Sequence, residues 1–114
     1  MPSPTQLRGG RAEQRAVFFL RRHGYTIIAQ HITSRFGEID ILAEKNLHHI
    51  IVEVKYRAAH EAWPIELSMS EKQVARLAMA YQAWCIKAQQ QPSPNISYLW
   101  LLVSEETIRA IPIQ

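Results

Sequence analysis

Hydrophobic and polar residues alternate through the middle of the chain, in the segment GEIDILAEKNLHHIIVEVKYR at 37–57. A period of two is typical of β-strands, whose side chains point to opposite faces in turn. The pattern predicts two strands joined by a turn. On the first strand it places Ile39, Ile41 and Ala43 on one face, and Glu38, Asp40 and Leu42 on the other. On the second strand it separates Ile50, Val52, Val54 and Tyr56 from Ile51, Glu53, Lys55 and Arg57.

Which charged residues lie opposite each other depends on the register of the predicted hairpin. A two-residue turn at 46–47 sets Asp40 opposite Glu53 and Glu38 opposite Lys55. A four-residue turn sets Asp40 opposite Lys55 instead. Like charges directly opposite each other on a sheet are destabilising. With either turn, two or three carboxylates converge beside one lysine, so we expect positive charge between them.

The remaining pattern predicts helices on both sides of these strands in the chain. Helical spacing indicates a first helix from about Arg11 to His23, with Gly24 as its stop, and a second helix that begins at Ser70 with a capping box to Gln73. Strands are predicted at 25–32, 96–104 and within IRAIPI at 108–113, and 58–67 is predicted to be irregular. The order α-β-β-β-α-β, with one more short strand, predicts an α/β fold with a central mixed sheet flanked by helices.

Composition limits what such a fold can do. A chain of 114 residues is long enough for one domain, 1–114, in which we expect residues 1–8 to form a flexible tail. The single cysteine, Cys85, excludes an internal disulfide and indicates a reducing cytoplasm. The polar start of the chain does not resemble a signal peptide, and no apolar run is long enough to span a membrane. A net charge of +3 and a pI near 9.3 permit a nucleic-acid partner.

The hairpin carboxylates suggest a metal site. Carboxylate oxygens are the ligands that Mg²⁺ and Mn²⁺ prefer, and Asp40 and Glu53 supply them on neighbouring strands. Glu13 lies on the apolar face of the first helix, where a carboxylate needs a partner or a metal. Alternatively, Glu13 occupies the first helical turn, where negative charge suits the helix dipole. Lys55, two residues after Glu53, could steady a deprotonated water or a phosphate. These four residues are the predicted catalytic set.

The motifs GEID and VEVKYR resemble those of the PD-(D/E)XK nuclease superfamily and, more specifically, the YraN-like family of small bacterial proteins. The resemblance runs from Gly9 to about Tyr81. A more distant similarity links the chain to archaeal Holliday-junction resolvases. These resemblances imply a restriction-endonuclease-like core with metal ligands at Asp40 and Glu53, assisted by Glu13 and Lys55. The family often has Asn and Arg or Asn just before GEID, where this chain has His31 and Thr33.

Basic residues are the candidates for nucleic-acid contacts. The predicted binding residues are Arg11, Arg15, Arg35, Arg57 and Lys72. Arginines cluster near the first helix, where they could grip phosphates or simply form a solvated face, and the sequence leaves both interpretations open. Lys72 stands at a helix start, where its charge opposes the dipole, which suggests a contact elsewhere.

Three classes of function fit these features unequally. The first is a Mg²⁺- or Mn²⁺-dependent nuclease acting on DNA, branched or single-stranded, and we expect DNA rather than RNA. The second is a catalytically weak nucleic-acid-binding module of a repair, recombination or replication complex. The third, a hydrolase that uses two carboxylates as a glycosidase does, is disfavoured by Lys55 and the basic balance. The sequence predicts no membrane partner and leaves a homodimer open.

Overall fold

The computed structural model describes residues 4–57 and 69–113, with side chains described from residue 10 onward. The elements in chain order are α1 (Pro4–Arg22), β1 (Thr26–Ser34), β2 (Gly37–Lys45), β3 (His48–Tyr56), α2 (Glu71–Ala88), β4 (Ile96–Val103) and β5 (Ile108–Ile113). The predicted irregular stretch at 58–67 lies outside the described residues. No described helix combines the length and the apolar character needed to cross a bilayer.

The five strands form one sheet in the order β1-β2-β3-β4-β5. Neighbouring strands run antiparallel except β3 and β4, which are parallel and have α2 between them in the chain. A parallel pair needs such a crossover connection, because its second strand must return to the end where the first one began. The predicted mixed sheet flanked by helices is therefore confirmed.

The turn between β2 and β3 sets the register on which the site depends. Lys45 pairs with His48, and Asn46 and Leu47 between them have φ angles of 53° and 65°. Two successive residues with positive φ are typical of the type I′ turn, whose twist matches that of paired strands. Of the two turns that the sequence left open, the two-residue turn is the one formed.

Apolar side chains pack on both faces of the sheet, one face against each helix. Ile41, Ala43 and Val52 pack with α1, whereas Leu42 and Ile51 pack with α2. The prediction that Ile39 shares a face with Ile41 is wrong, because Ile39 packs on the α2 side. Strict alternation is lost between Ile39 and Ile41, where the regular pairing of β2 with β3 ends and where His31 on the neighbouring strand β1 has a φ of 51°.

The helix ends follow local chemistry with one exception. Gly24, with a φ of 88°, ends α1 as predicted, and the Ser70 hydroxyl accepts the Gln73 N–H at the start of α2. However, α1 begins at Pro4 rather than near Arg11, so residues 4–8 of the predicted tail are helical. Proline is well suited to the first helical turn because that turn has no partner for its N–H groups. Residues 1–3 lie outside the described part of the chain.

Candidate active site

Two carboxylates lie side by side where the regular pairing of β2 with β3 ends. That pairing runs from the turn to Ile41 and Val52, and Asp40 and Glu53 are the next residues on their strands. The Asp40 carboxylate accepts the Val54 backbone N–H at 2.8 Å, and the Glu53 carboxylate accepts the Asp40 N–H at 3.4 Å. Each side chain thus bonds to the opposite backbone. The predicted juxtaposition of Asp40 and Glu53 is present in the structure.

Burial and repulsion make Glu53 the most perturbed group of the site. The residue is only 8% exposed. Its burial, its hydrogen bond to the Asp40 side chain and the charge of Asp40 raise the pKa of Glu53 to about 9, with Glu38 adding to the effect. Two negative charges this close repel each other strongly. The Asp40–Glu53 pair therefore retains one proton at neutral pH.

Glu13 reaches the same region from α1, and its partner is a histidine. The Glu13 carboxylate lies 2.6 Å from Nε2 of His31 on β1. Burial raises the pKa of Glu13, the charge of His31 opposes the increase, and Asp40 and Glu38 add to it. The alternative that placed Glu13 in the first helical turn is wrong, since α1 begins at Pro4. Glu13 and Asp40 line the same cleft, so Glu13 lies near the hairpin carboxylates.

A cleft of about 540 Å³ opens between α1 and the sheet; we call it the active-site cleft. Its lining consists of Gly10, Ala12, Glu13, Gln14, Gln30, His31, Asp40, Val54 and Tyr56. Glu13 and Asp40 therefore face one common space. Among the described residues, Glu53 and Lys55 do not line this cleft, and the two alternate on β3 with Val54 and Tyr56, which do. Asp40 is the residue that joins the carboxylate pair to the cleft.

Lys55 is the predicted catalytic residue that the structure does not bring to the carboxylates. Its ammonium lies 5.8 Å from the ring centroid of Trp100 on β4. Between the described side chains, the ion pairs within 4 Å are Glu13–His31 and Glu44–His49, so the expected opposition of Glu38 and Lys55 yields no ion pair. The reason is that the regular pairing of β2 and β3 ends at Ile41, before it reaches Glu38.

Asp40, Glu53 and Glu13 have the carboxylate groups that a divalent metal prefers, but their side chains are not gathered around one point. Over residues 4–57 and 69–113, no three side chains of His, Cys, Asp or Glu already stand together as a metal-binding group. Mg²⁺ commonly takes only one or two carboxylates and completes its shell with water and substrate phosphates. Asp40 and Glu53 supply two adjacent carboxylates of that kind, and Glu13 is the third predicted ligand.

The predicted nucleic-acid-binding residues come from several elements of the fold. Arg11 is exposed on α1, and Lys72 is exposed in the first turn of α2. Arg35 lies in the β1–β2 turn with its guanidinium 4.8 Å from the Phe36 ring centroid. Arg57 follows β3, where its backbone N–H donates to the Val103 carbonyl at 2.9 Å. The β1–β2 turn and the end of β3 lie at the same end of the sheet, because β2 and β3 are antiparallel and their connecting turn is at the other end, so Arg35 and Arg57 share that end.

Arg15 has a partner within the protein. Its guanidinium donates a hydrogen bond to the Ser104 carbonyl at the end of β4. This contact ties α1 to the sheet, and a phosphate contact of Arg15 stays a prediction. The side chain of Arg8 lies outside the described residues.

His31 is the site residue that the analysis of the sequence missed. It lies on the edge strand β1, its ring contacts Glu13, and it lines the active-site cleft beside Asp40. A single histidine in a strand gives no ligand spacing and so no motif. The signal that could have revealed it is the departure from the Asn that the resembling family often has before GEID.

Comparisons with known proteins agree with this architecture. The family model described as "Uncharacterised protein family UPF0102" matches residues 12–103. A UPF0102 protein of Persephonella marina is 37% identical over 81 residues, which cover 71% of this chain and 70% of that protein. A UPF0102 protein of Chloroflexus aurantiacus is 40% identical over 81 residues, covering 71% of this chain and 66% of that protein. The match thus spans about two thirds of each relative's length.

A solved structure shares the fold at lower sequence similarity. It is that of Archaeoglobus fulgidus Hjc, described as a Holliday junction resolvase from an archaeal hyperthermophile. The TM-score is 0.55 with 20% sequence identity, over 90% of this chain and 73% of that one. The predicted fold and its resemblance to archaeal Holliday-junction resolvases are confirmed.

Proposed function

This chain belongs to the UPF0102 family, the YraN-like family, and we propose that it is a metal-dependent nuclease that hydrolyses phosphodiester bonds of DNA. The observation that carries the proposal is the Asp40–Glu53 pair. Two carboxylates share one hydrogen-bonded arrangement, and the pKa of Glu53 is raised to about 9. A divalent cation relieves the repulsion that such a pair creates, since metal binding replaces the retained proton.

The three acidic residues have two tasks in this proposal. Asp40 and Glu53 hold Mg²⁺ or Mn²⁺, and Glu13, oriented by His31 at 2.6 Å, completes the acidic lining of the cleft. When bound, the cation lowers the pKa of water and stabilises charge on the phosphate. Because Asp40 lines the active-site cleft, the scissile phosphate would lie within that cleft, next to Glu13.

Lys55 assists the attacking water in this proposal. The side chain leaves β3 two residues after Glu53, so it projects from the same side of the strand. Its ammonium lies beside Trp100, a contact of a kind worth roughly 0.5–2 kcal/mol, depending on how far the ammonium is desolvated. A phosphate next to the cation that Asp40 and Glu53 hold would attract the flexible lysine away from the indole, and a charge-assisted hydrogen bond to that phosphate would compensate for the lost contact.

DNA is the proposed substrate because the chain is basic and because the structural neighbour is described as a Holliday junction resolvase. Branched DNA is accordingly the first form to test, followed by single strands and RNA. The cytoplasmic location expected from the sequence stays a prediction, and the homodimer stays open.

The test is cleavage of a panel of labelled DNA and RNA forms with Mn²⁺, with Mg²⁺ and with EDTA. We expect cleavage that needs a divalent cation and is lost in Asp40→Asn and Glu53→Gln. Glu106→Gln, in the exposed β4–β5 turn, is the matched control and should cleave like the wild type. Cleavage that survives EDTA, or that Asp40→Asn retains, would contradict the proposal.

The second candidate function is a binding module with weak catalysis or none. Two observations favour it: the ammonium of Lys55 lies by Trp100, and the described residues contain no assembled group of three metal ligands. This candidate predicts metal-independent DNA binding without cleavage of any form. The same panel, read for binding in EDTA and for cleavage in Mn²⁺, separates the two functions.

A further inference from the structure

Three clefts follow one another around the edge strand β1. The active-site cleft lies on the α1 side of the sheet. A second cleft of about 560 Å³, here called the β1-edge cleft, lies between β1 and α2 and shares Gln30 and His31 with the first. A third of about 720 Å³, here called the turn cleft, lies between the β1–β2 turn and α2 and shares Ser34 and Ala83 with the second. The shared residues make the three clefts one continuous path.

The charge of this path changes along its length. Glu13 and Asp40 make the active-site cleft acidic. Within the described part of the chain, the lining of the other two clefts includes no Asp or Glu, and it includes Lys87 in the β1-edge cleft and Arg35 in the turn cleft. Both basic residues are exposed. The two outer clefts therefore complement a polyanion.

Aromatic rings lie beside both basic residues. Trp84 lines the β1-edge cleft with Lys87, and Phe36 lines the turn cleft beneath the Arg35 guanidinium. Met79 and Ile86 leave the apolar wall of the turn cleft open, with 47% and 79% of their surfaces exposed. Alternating basic groups and aromatic faces are the features by which proteins bind single-stranded nucleic acid, because phosphates and base faces alternate along the strand.

The shape of the path selects a single strand over a duplex. The path starts on the α1 face of the sheet and continues on the α2 face, so it turns around β1 at Gln30 and His31. Duplex DNA has a persistence length of about 50 nm, so it cannot follow a turn around one edge strand. A single strand lacks the stiffness of the double helix and can follow it.

From this arrangement we propose that a single DNA strand leaves the active-site cleft over the β1 edge and binds along α2. Arg35 and Lys87 contact its phosphates, and its bases stack on Phe36 and Trp84. We call these four residues, Arg35, Phe36, Trp84 and Lys87, the strand site. The choice of DNA rests on the proposed function. The strand site adds that the substrate has a single-stranded segment next to the cleavage point.

The experiment measures binding of a fluorescent oligothymidylate of about 15 nucleotides, within the range of known single-strand sites, by anisotropy in EDTA at several salt concentrations. We expect Arg35→Gln and Lys87→Gln each to reduce the slope of log affinity against log salt by about 0.7, and the double variant by about 1.4. Phe36→Ala should weaken binding about 5-fold or more. Thermal melting of each variant verifies the fold.

Two controls make the outcome specific. Arg109→Gln changes an exposed arginine on β5, at the opposite edge of the sheet, and should leave the slope unchanged. The Arg22–Phe18 pair on α1 resembles the Arg35–Phe36 pair, with the guanidinium 5.8 Å from the ring centroid, and Arg22→Gln should also leave the slope unchanged.

The strand site is refuted if the wild type does not bind the oligonucleotide, or if Arg35→Gln with Lys87→Gln leaves the slope unchanged. A larger effect from Arg22→Gln, or an equal loss of duplex binding in the Arg35 and Lys87 variants, also overturns it. Its failure is distinct from that of the nuclease proposal. If the Arg35→Gln and Lys87→Gln variants leave the salt slope unchanged, Asp40-dependent cleavage can still be observed, and only the strand site fails. If the protein binds the oligonucleotide in EDTA but cleaves nothing, only the nuclease proposal fails.

Discussion

Replacing Glu53 by glutamine should change how the stability of the protein depends on pH. The native pKa of Glu53 is raised to about 9 from an ordinary value of 4.5, chiefly by burial and by its bond with Asp40. Between these values the native state keeps a proton that the unfolded state releases. The native state thus binds more protons, and the free energy of unfolding falls as pH rises. The contribution is fully present below the unfolded value and is lost toward pH 9.

The magnitude follows from the width of that window. One pKa unit corresponds to about 1.4 kcal/mol, so the slope approaches about 1.4 kcal/mol per pH unit well inside it. From about pH 5.5 to about pH 7.5 the wild type should lose about 2–3 kcal/mol through Glu53 alone. Glutamine has a similar shape and no proton to release, so Glu53→Gln should lack this loss. Total stabilities of about 5–15 kcal/mol make a difference of this size easy to measure.

The assay is urea unfolding of the wild type and Glu53→Gln at several pH values, followed by circular dichroism. The difference between the two proteins reports on the Asp40–Glu53 pair, because groups that do not interact with Glu53 titrate alike in both. From about pH 5.5 to about pH 7.5, we expect the free energy of unfolding of Glu53→Gln to rise relative to that of the wild type by about 2–3 kcal/mol. Glu106→Gln, at an exposed position outside the site, is the control and should run parallel to the wild type. Parallel curves for the wild type and Glu53→Gln would refute the electrostatic account of the site.

Three further predictions test the neighbouring residues. Millimolar Mn²⁺ should raise the melting temperature of the wild type, more at higher pH because the ion competes with a proton, and should leave Asp40→Asn almost unmoved; equal shifts would count against the site. Lys55→Met should fold and bind DNA but cleave about 10²-fold or more slowly, whereas an unchanged rate would reduce Lys55 to its contact with the indole. Arg15→Ala should lower the free energy of unfolding by about 1 kcal/mol, because it loses the hydrogen bond to the Ser104 carbonyl, whereas Arg11→Ala should only reduce the salt dependence of DNA binding. Chemical unfolding and binding titrations measure the two effects. A loss of stability in Arg11→Ala with none in Arg15→Ala would contradict this prediction.

The sequence by itself determined the local structure of the hairpin and reduced its pairing register to two alternatives, of which the structure has the one with a two-residue turn. Alternation at 37–57 predicted both strands, the two-residue turn placed Asp40 opposite Glu53, and Gly24 and Ser70 marked helix ends that the structure has. These features depend on neighbours within a few residues, where the period of side-chain direction and the φ angle of a turn act directly. The start of α1 at Pro4 was missed, because Gly9 and Gly10 are poor helix formers and obscured the helical pattern.

Only the tertiary structure decided which side chains meet across the fold. The contact of His31 with Glu13 joins β1 to α1, Arg15 is bonded to Ser104 at the end of β4, and the Lys55 ammonium lies beside Trp100. No local period specifies these contacts, because each joins elements that are far apart in the chain. They depend on how the helices pack on the sheet and on where β1 is distorted at His31. The sequence could therefore predict the carboxylate pair, whereas the side chains that surround it could be identified only from the tertiary structure.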